Sequence, residues 1–425
     1  MPIQMPVRTL IVLIAINILN FYDRNVLGAL TEPIRKEFHF NDTQVGFIGS
    51  AFIWLYAIVG VPLGRLADRK SRKHLLAGGM AVWSLLTALA AFATTYGMLL
   101  GSRLGFAVGE AVVAPAATSW IGDLFPPHKR ARALALFMIG VPVGASLNYF
   151  LSGPIAQAFG WRMAMVAAAV PAMLLIPLLL RLPEPVRGAS DAALAAPPAA
   201  SPLVLLRIPT FLWIIISGAL LNFNMYALGQ FLPAFLSRIH HVSLAHAGVG
   251  TGIAYGVGGI AGSLIAGWVG DRIIRWRKDG RMVCAAALAL VGCPAAWFGI
   301  NSGDVTTAVA LITLFYGTLC SYYGFVYSSI QDIVAPTMRG IAMAIYFMAM
   351  YLCGASFGPL LTGKVSDMMA RRAADAAGSG VITEAFRAVG LQQAMLIMPV
   401  LSLLLAVVLF AGSRTIVRDA GRQVS

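Results

Sequence analysis

The sequence predicts an all-α integral membrane protein of twelve transmembrane helices, arranged as two six-helix halves. Three observations predict it. Of the 425 residues, 59% are hydrophobic and 11% are charged, whereas a soluble chain carries about 25% charged residues. Twelve apolar runs approach the roughly 20 residues that a spanning helix needs. Short motifs then recur in the same order on either side of a proline-rich midpoint.

The runs lie at about 9–30, 45–66, 75–94, 97–121, 133–157, 163–181, 209–236, 245–269, 283–300, 305–330, 341–363 and 391–412. The first is too long for the apolar region of a signal peptide and lacks an A-x-A cleavage site, so it is expected to be a retained span. Between the second and third runs stand Arg65, Arg69, Lys70, Arg72 and Lys73; between the eighth and ninth stand Arg272, Arg275, Arg277, Lys278 and Arg281. These fall on the same side as Lys129, Arg130 and Arg132. The positive-inside bias therefore puts both termini in the cytoplasm of a multi-pass plasma (inner) membrane protein. It also accounts for the formal charge of +14 through loops facing an anionic leaflet, with no need for nucleic acid. One segment resists: Lys364 to Gly390 carries Lys364, Arg371, Arg372 and Arg387 yet counts as outward-facing.

Leu182 to Pro209 contains six prolines and an Ala-rich tract, which suits a linker and not a span. The expected division is an N-terminal half at 1–182, a cytoplasmic linker at 183–208 and a C-terminal half at 209–425. Internal echoes support it. Gly64-Arg-Leu-Ala-Asp68-Arg69 recurs as Gly267-Trp-Val-Gly-Asp271-Arg272, an offset of 203 residues. Asp123 to Arg130 matches Asp332 to Arg339, and Gly153-Pro154 matches Gly358-Pro359. Six spans repeated in parallel make an architecture for alternating access, with a site near the bilayer midplane.

Several signals fail. Gly354-Ala-Ser356-Phe-Gly358 has the form of a nucleophile elbow but lies inside an apolar span, where small residues pack helices. Gly358 to Lys364 has the spacing of a phosphate loop, but Val365 stands where Ser or Thr is required. The Gly60-x3-Gly64 and Gly258-x3-Gly262 pairs read as close helix contacts. No CxxC or HExxH occurs. Neither an enzyme, a metal site nor a cofactor is expected.

The residues Gly64-Arg-Leu-Ala-Asp68-Arg69-Lys70-Ser-Arg72-Lys73 resemble the loop signature of the major facilitator superfamily, and the resemblance covers the whole chain. The physics of the loop is legible apart from the name. Glycine permits close helix packing, while Asp68 can sit at a neighbouring helix end or pair with arginine, latching the cytoplasmic side together with Arg69, Arg72 and Lys73. Asn20-Phe-Tyr-Asp23-Arg24-Asn25, Arg103-Leu-Gly-Phe-Ala-Val-Gly109-Glu110-Ala111, Gly122-Asp123-Leu-Phe-Pro126-Pro127 and Gly140-Val-Pro142-Val-Gly144 resemble the Spinster branch. Organic anion symporters of the superfamily share the first two features. The resemblance implies the major facilitator fold and, through exporters of lysolipids and phosphorylated sphingoid bases in that branch, a lipid-like substrate.

Ionisable side chains inside a span cost at least about 2.5 to 3.5 kcal/mol on insertion scales, so they are functional candidates. The first half has four: Asp23, Arg24, Arg103 and Glu110. Asp23 lies about 21 Å from the start of its span and Arg103 about 9 Å from the start of its own, at opposite sides of a roughly 30 Å layer, which gives them similar depths. Glu110, two turns from Arg103, returns to nearly the same face. The expectation is a column of Arg103 and Glu110 facing Asp23 and Arg24 across a water-filled cavity. Arg24 and Arg103 then bind an anionic head group, and Asp23 and Glu110 carry protons. The alternative is a purely structural ion pair.

In the second half, Tyr316, Tyr322, Tyr323, Tyr327, Tyr346 and Tyr351, with Asn222, Asn224 and Gln230, offer an aromatic and apolar wall suited to an amphiphile. Tyr322 and Tyr323 are the candidate substrate contacts; helix packing is the competing role. The expected function is thus secondary active transport by alternating access, coupled to protons, of an amphiphilic or lysolipid-like anion. Its partners are the bilayer, the anion and protons, and the chain is a monomer. A proton-coupled small organic anion symporter, or a non-transporting membrane sensor or scaffold, are the alternatives.

Overall fold

The computed structural model describes residues 4–186, 202–334 and 338–421. Twelve helices in it are long and apolar enough to cross a membrane, at Pro6–Ala29, Asp42–Ala67, Arg72–Ala90, Tyr96–Leu124, Arg132–Phe159, Trp161–Leu180, Pro209–Ile239, Leu244–Ile273, Gly280–Asn301, Val305–Ile333, Arg339–Ala376 and Glu384–Ala420. They are called spans 1 to 12 below. No strand occurs among the described residues, as expected where lipid offers no partner to backbone N–H and C=O groups and each helix must satisfy its own. The linker expected at 183–208 falls largely on 187–201, which lie outside the described residues; Pro202–Arg207 forms a short 3-10 turn.

Span 11 is the longest, at 38 residues. At 1.5 Å per residue it measures about 57 Å, well beyond a hydrocarbon layer of about 30 Å. The charged segment that resisted the loop pattern is therefore helical as far as Ala376, a continuation of the span past the membrane. Gly390 of span 12 backs onto it, where a Cβ would lie 2.7 Å from Ala370 N.

Contacts group the described residues into two units. The first holds residues up to Phe40, those from Ala51 to 186, and Ser243–Gly252. The second holds Asn41–Ser50, those from 202 to Val242, and those from Ile253 onward. The exchange is reciprocal: the beginning of span 2 belongs to the second unit and the beginning of span 8 to the first, at an offset of 202 residues. That offset is essentially the one at which the motifs repeat.

Glycines set the close crossings of the first unit. A Cβ at Gly140 would lie 3.1 Å from Ile18 N and one at Gly144 would run into the Ile18 carbonyl, so span 5 meets span 1 backbone to backbone. Asn17 fixes the same crossing by donating to the Phe137 carbonyl at 2.8 Å. Gly79 of span 3 and Gly109 of span 4 make the second crossing, each facing the other's carbonyl, at 2.6 and 2.8 Å from the Cβ positions. Span 4 breaks directly after it, between Tyr96–Glu110 and Val113–Leu124. Pro115 has no N–H for the Ala111 carbonyl and its ring crowds that oxygen, which places the break beside Glu110.

In the second unit the Gly258-x3-Gly262 pair does press onto span 10, against Thr313 O and Gly317 O. The Gly60 and Gly64 pair differs from expectation: nothing lies within 4 Å of a Gly60 Cβ, and a Gly64 Cβ would meet only Pro115 Cβ at 3.9 Å. Spans 8 and 11 each contain one π-helical turn, Ala254–Gly258 and Tyr351–Ala355. Such turns re-aim side chains and concentrate at functional sites; here they carry Tyr255 and Tyr351.

Candidate functional site

The four charged residues of spans 1 and 4 come together in the first unit. Asp23 and Glu110 are fully buried, and Arg103 is 6% exposed. Contact is direct where the sequence suggested a cavity between two columns. Arg24 Nε donates to Glu110 Oε1 at 2.7 Å. Arg103 reaches back to the span 1 backbone, donating from Nη2 to the Arg24 carbonyl at 2.9 Å and from Nη1 to the Asp23 carbonyl at 3.4 Å. Long side chains span the gap between spans 1 and 4, Arg24 reaching forward to Glu110 and Arg103 back to the span 1 carbonyls.

Asp23 takes its partner from span 3, where the Trp83 indole donates to Oδ2 at 3.0 Å. Neither Asp23 Oδ1 nor Glu110 Oε2 has a hydrogen-bond partner among the described residues. Aromatic rings enclose the two guanidinium groups. Arg24 Cζ lies 4.7 Å from the Phe21 centroid and 4.6 Å from that of Tyr56, while Arg103 Cζ lies 4.5 Å from Phe106 and 5.4 Å from Phe52. Cation–π attraction holds the arginines without consuming their hydrogen-bond donors. Sequence reasoning missed Trp83, Phe52 and Tyr56, because aromatic residues in apolar spans look the same whether they pack or bind.

In the second unit the tyrosines divide into two groups. Tyr322 is 2% exposed and belongs to a hydrogen-bonded string, with Ser217 Oγ 2.7 Å from its hydroxyl and Tyr346 donating to it at 3.2 Å. Its position is that of a packing residue. Tyr323 is half-buried and donates to Asn222 Oδ1 at 3.1 Å. It stacks toward Tyr327 with centroids 5.3 Å apart, while the re-aimed Tyr351 meets Tyr226 edge-on at 6.2 Å. Tyr255 stacks on Tyr316 at 4.1 Å. Asn224 is fully buried, and Gln230 is 9% exposed.

The loop signature is organised around Arg72. That side chain is completely buried and uses all three guanidinium nitrogens. Nε donates to Glu184 Oε1 at 3.1 Å, Nη2 to the Pro185 carbonyl at 2.9 Å, and Nη1 to Asp123 and to Ser119 Oγ, the latter at 3.2 Å. Ser71 Oγ donates to Glu184 at 2.5 Å, and Lys73 Nζ to the Leu182 carbonyl at 3.2 Å. Burial pulls the Glu184 carboxyl upward, but the bonds from Ser71, Arg72 and Lys73 outweigh it and hold the group below the usual carboxylate range. It is therefore ionised at neutral pH. Arg69 is exposed, and the Asp68 side chain lies outside the described residues. The second half repeats the arrangement as Arg281 Nη1 on Asp332 at 2.8 Å, with 16% and 39% side-chain exposure. This wetter pair has the same separation in sequence, and it is the counterpart that the repeated loop motif did not reveal. Arg272 instead stands over the Trp268 ring, 3.8 Å from its centroid.

Twelve apolar helices crossing on glycine, with four charged residues gathered in the first unit and an arginine–aspartate pair at equivalent loops of both, are the marks of a polytopic membrane protein with polar groups held at membrane depth. Comparison with known proteins bears on the family. The Major Facilitator Superfamily model matches residues 13–359. The chain is 32% identical over 364 residues to an MFS-type efflux pump of Mycolicibacterium smegmatis, covering 84% of each. It is 30% identical over 386 residues to protein spinster homolog 1 of Mus musculus, covering 85% of this chain and 73% of the other. Among solved structures, a bacterial homolog to the human lysosomal transporter Spinster, inward-facing and unoccupied, superposes with a TM-score of 0.89 at 25% identity over 99% of both chains. The chain belongs to the Spinster branch of the major facilitator superfamily; it is a multi-pass membrane transporter and not an enzyme.

Proposed function

We propose that this chain couples proton movement to the transport of an amphiphilic, lysolipid-like anion across the plasma (inner) membrane, with both termini in the cytoplasm. The observation that carries the reading is the bond between Arg24 and Glu110, 2.7 Å long and buried. Two acids and two arginines balance in charge when both acids are ionised. An anion entering this low-dielectric site adds charge that must be compensated. It also needs guanidinium donors, and Glu110 holds the Nε of Arg24. A proton on Glu110 satisfies both demands: it cancels one negative charge and frees Arg24 for a phosphate or carboxylate. Asp23, held by Trp83 on one oxygen only, is the second proton position.

The half-buried Tyr323 and Tyr327 and the π-turn Tyr351 supply an aromatic, weakly polar wall in the second unit, which supports a substrate with an apolar body. The head group and the tail are tested separately by binding across a homologous series with one head group. Affinity is expected to rise by up to about 0.8 kcal/mol, or about fourfold, per buried methylene until the wall is covered. Flat affinity from short to long chains would remove the lipid-like reading and leave the small organic anion symporter. Arg24→Lys keeps the charge but loses the fork, and is expected to weaken every member of the series alike. Binding unchanged in Arg24→Lys would remove Arg24 from the head-group role.

A further inference from the structure

We propose that the far end of span 11 is a binding face for an anionic phospholipid, with Lys364, Arg371 and Arg372 holding its phosphate and Met368 lying against its glycerol end. That role depends on the placement of the spans and on nothing about the transported substrate or proton coupling. Twelve spans put both ends of the chain on one side of the bilayer, so span 11, an odd-numbered one, ends on the other. Its basic residues therefore stand opposite the arginine-rich loops at 69–73 and 275–278. The charge bias that accounts for those loops gives no reason for cations here.

One stripe of the helix carries them. At about 100° per residue, Phe357, Leu361, Lys364, Met368, Arg371 and Asp375 all fall within an arc of about 80°, with Arg372 at its edge. Every one of these residues is exposed, the three apolar ones by 38 to 42%. The other side of the helix is closed: Thr362, Ser366, Ala370 and Ala374 are buried, and Gly390 of span 12 packs onto the Ser366 carbonyl and Ala370. Along the stripe the order is apolar first and cationic after. Among the described residues, Lys364, Arg371 and Arg372 make no hydrogen bond or ion pair. The two acids of the segment do not neutralise them. Asp375 is bonded to neither arginine, and the Asp367 carboxylate accepts from Thr43 N and Oγ1 of the same unit. Arg387, by contrast, already faces Glu384 at 3.7 Å.

Depth agrees with this order. Arg339, exposed at the beginning of span 11, marks the headgroup layer on the near side. Lys364 follows about 37 Å further along the helix and Arg371 about 48 Å, against about 40 to 45 Å for a bilayer with its headgroups. A tilt of about 20°, the average for spanning helices, shortens these to about 35 and 45 Å. Lys364 thus reaches the far headgroup layer, and the two arginines stand at its outer edge. Side chains on a helix lean toward its N-terminus, which for this segment is toward the membrane, so helix geometry directs both guanidinium groups back over the headgroups. A lysine at the edge of hydrocarbon turns its ammonium the other way, outward. The three cations converge on the level of Met368. A phosphodiester offers the matching charge and oxygens for arginine's planar donors. An acidic protein surface would match the charge as well, but it would leave Phe357 and Leu361 uncovered, which acyl chains do not.

The test uses the full-length chain in phosphatidylcholine vesicles. Leu361→Cys, one turn below Lys364 on the same stripe, carries a fluorescent label and is read against the chain without that substitution, which corrects for the four native cysteines. Quenching by a small fraction of phosphatidylglycerol brominated in its acyl chains is compared with quenching by the same fraction of brominated phosphatidylcholine. The anionic lipid is expected to quench at least about threefold more, and the preference is expected to fall to about onefold when Lys364→Gln, Arg371→Gln and Arg372→Gln are combined. Arg371→Lys with Arg372→Lys, which keeps the charge without the planar donors, is expected to fall between. Arg275→Gln, exposed in the loop after span 8, is expected to leave the preference unchanged. Equal quenching by the two lipids in the parent would overturn the proposal. So would a preference that survives in the triple variant, since it would then reflect attraction to the positive chain as a whole. Should the triple variant fail to fold, Arg371→Gln with Arg372→Gln answers the same question.

Discussion

Glu110→Gln is expected to abolish accumulation driven by a pH gradient, lowering it at least about tenfold, while substrate binding changes by much less. Glutamine preserves the shape of the side chain and can still accept from Arg24 through its carbonyl oxygen. It has no proton to exchange, and it leaves Arg24 without a countercharge whatever the pH. Binding and coupling therefore separate in this variant, which a purely structural ion pair would not allow. Asp23→Asn keeps an acceptor for the Trp83 indole, now 3.0 Å from Asp23 Oδ2, and removes the second proton position; the same separation is expected. Uptake into proteoliposomes with an imposed gradient, set beside equilibrium binding in detergent, checks both. Full gradient-driven uptake in both variants would take the proton-carrying role away from these residues.

The second large effect is expected at Arg72. Replacing it with alanine leaves Asp123 and Glu184 facing each other without their shared cation and removes bonds to the Ser119 and Pro185 carbonyls. Truncating one partner of a buried, hydrogen-bonded ion pair costs about 3 to 5 kcal/mol. The lower end is expected here, because the two carboxylates retain 11% and 19% side-chain exposure and can be reached by water. Thermal unfolding in detergent should show a marked drop for Arg72→Ala, a smaller one for Arg72→Lys and almost none for Lys70→Gln, whose position is exposed. Arg281→Ala, on the wetter counterpart, should lose less than Arg72→Ala. Equal losses at the two arginines would contradict the difference in burial on which the argument stands.

The spans and the charged group of four were legible in the sequence because both follow from one constraint. Hydrocarbon demands long apolar runs and penalises every exception, so Asp23, Arg24, Arg103 and Glu110 announce themselves. The partners of these residues were not legible. Trp83 lies in an apolar stretch where any aromatic residue fits, and its role emerges only from the glycine crossing that sets span 3 against span 4. Glu184 stands 112 residues from Arg72, in a region whose proline content marks a loop and nothing more. Tyr322 and Tyr323 are neighbours whose side chains point about 100° apart, so only one can face outward from a packed helix. A span buried on several sides has no polar face in its sequence to say which.

Lysolipid movement measured in proteoliposomes under an imposed pH gradient, with and without a protonophore, separates coupled from passive transport. Accumulation beyond the equilibrium distribution is expected, collapsing when the gradient is dissipated and absent in Glu110→Gln. Flux of the same size with and without the gradient, in wild type and variant alike, would contradict it.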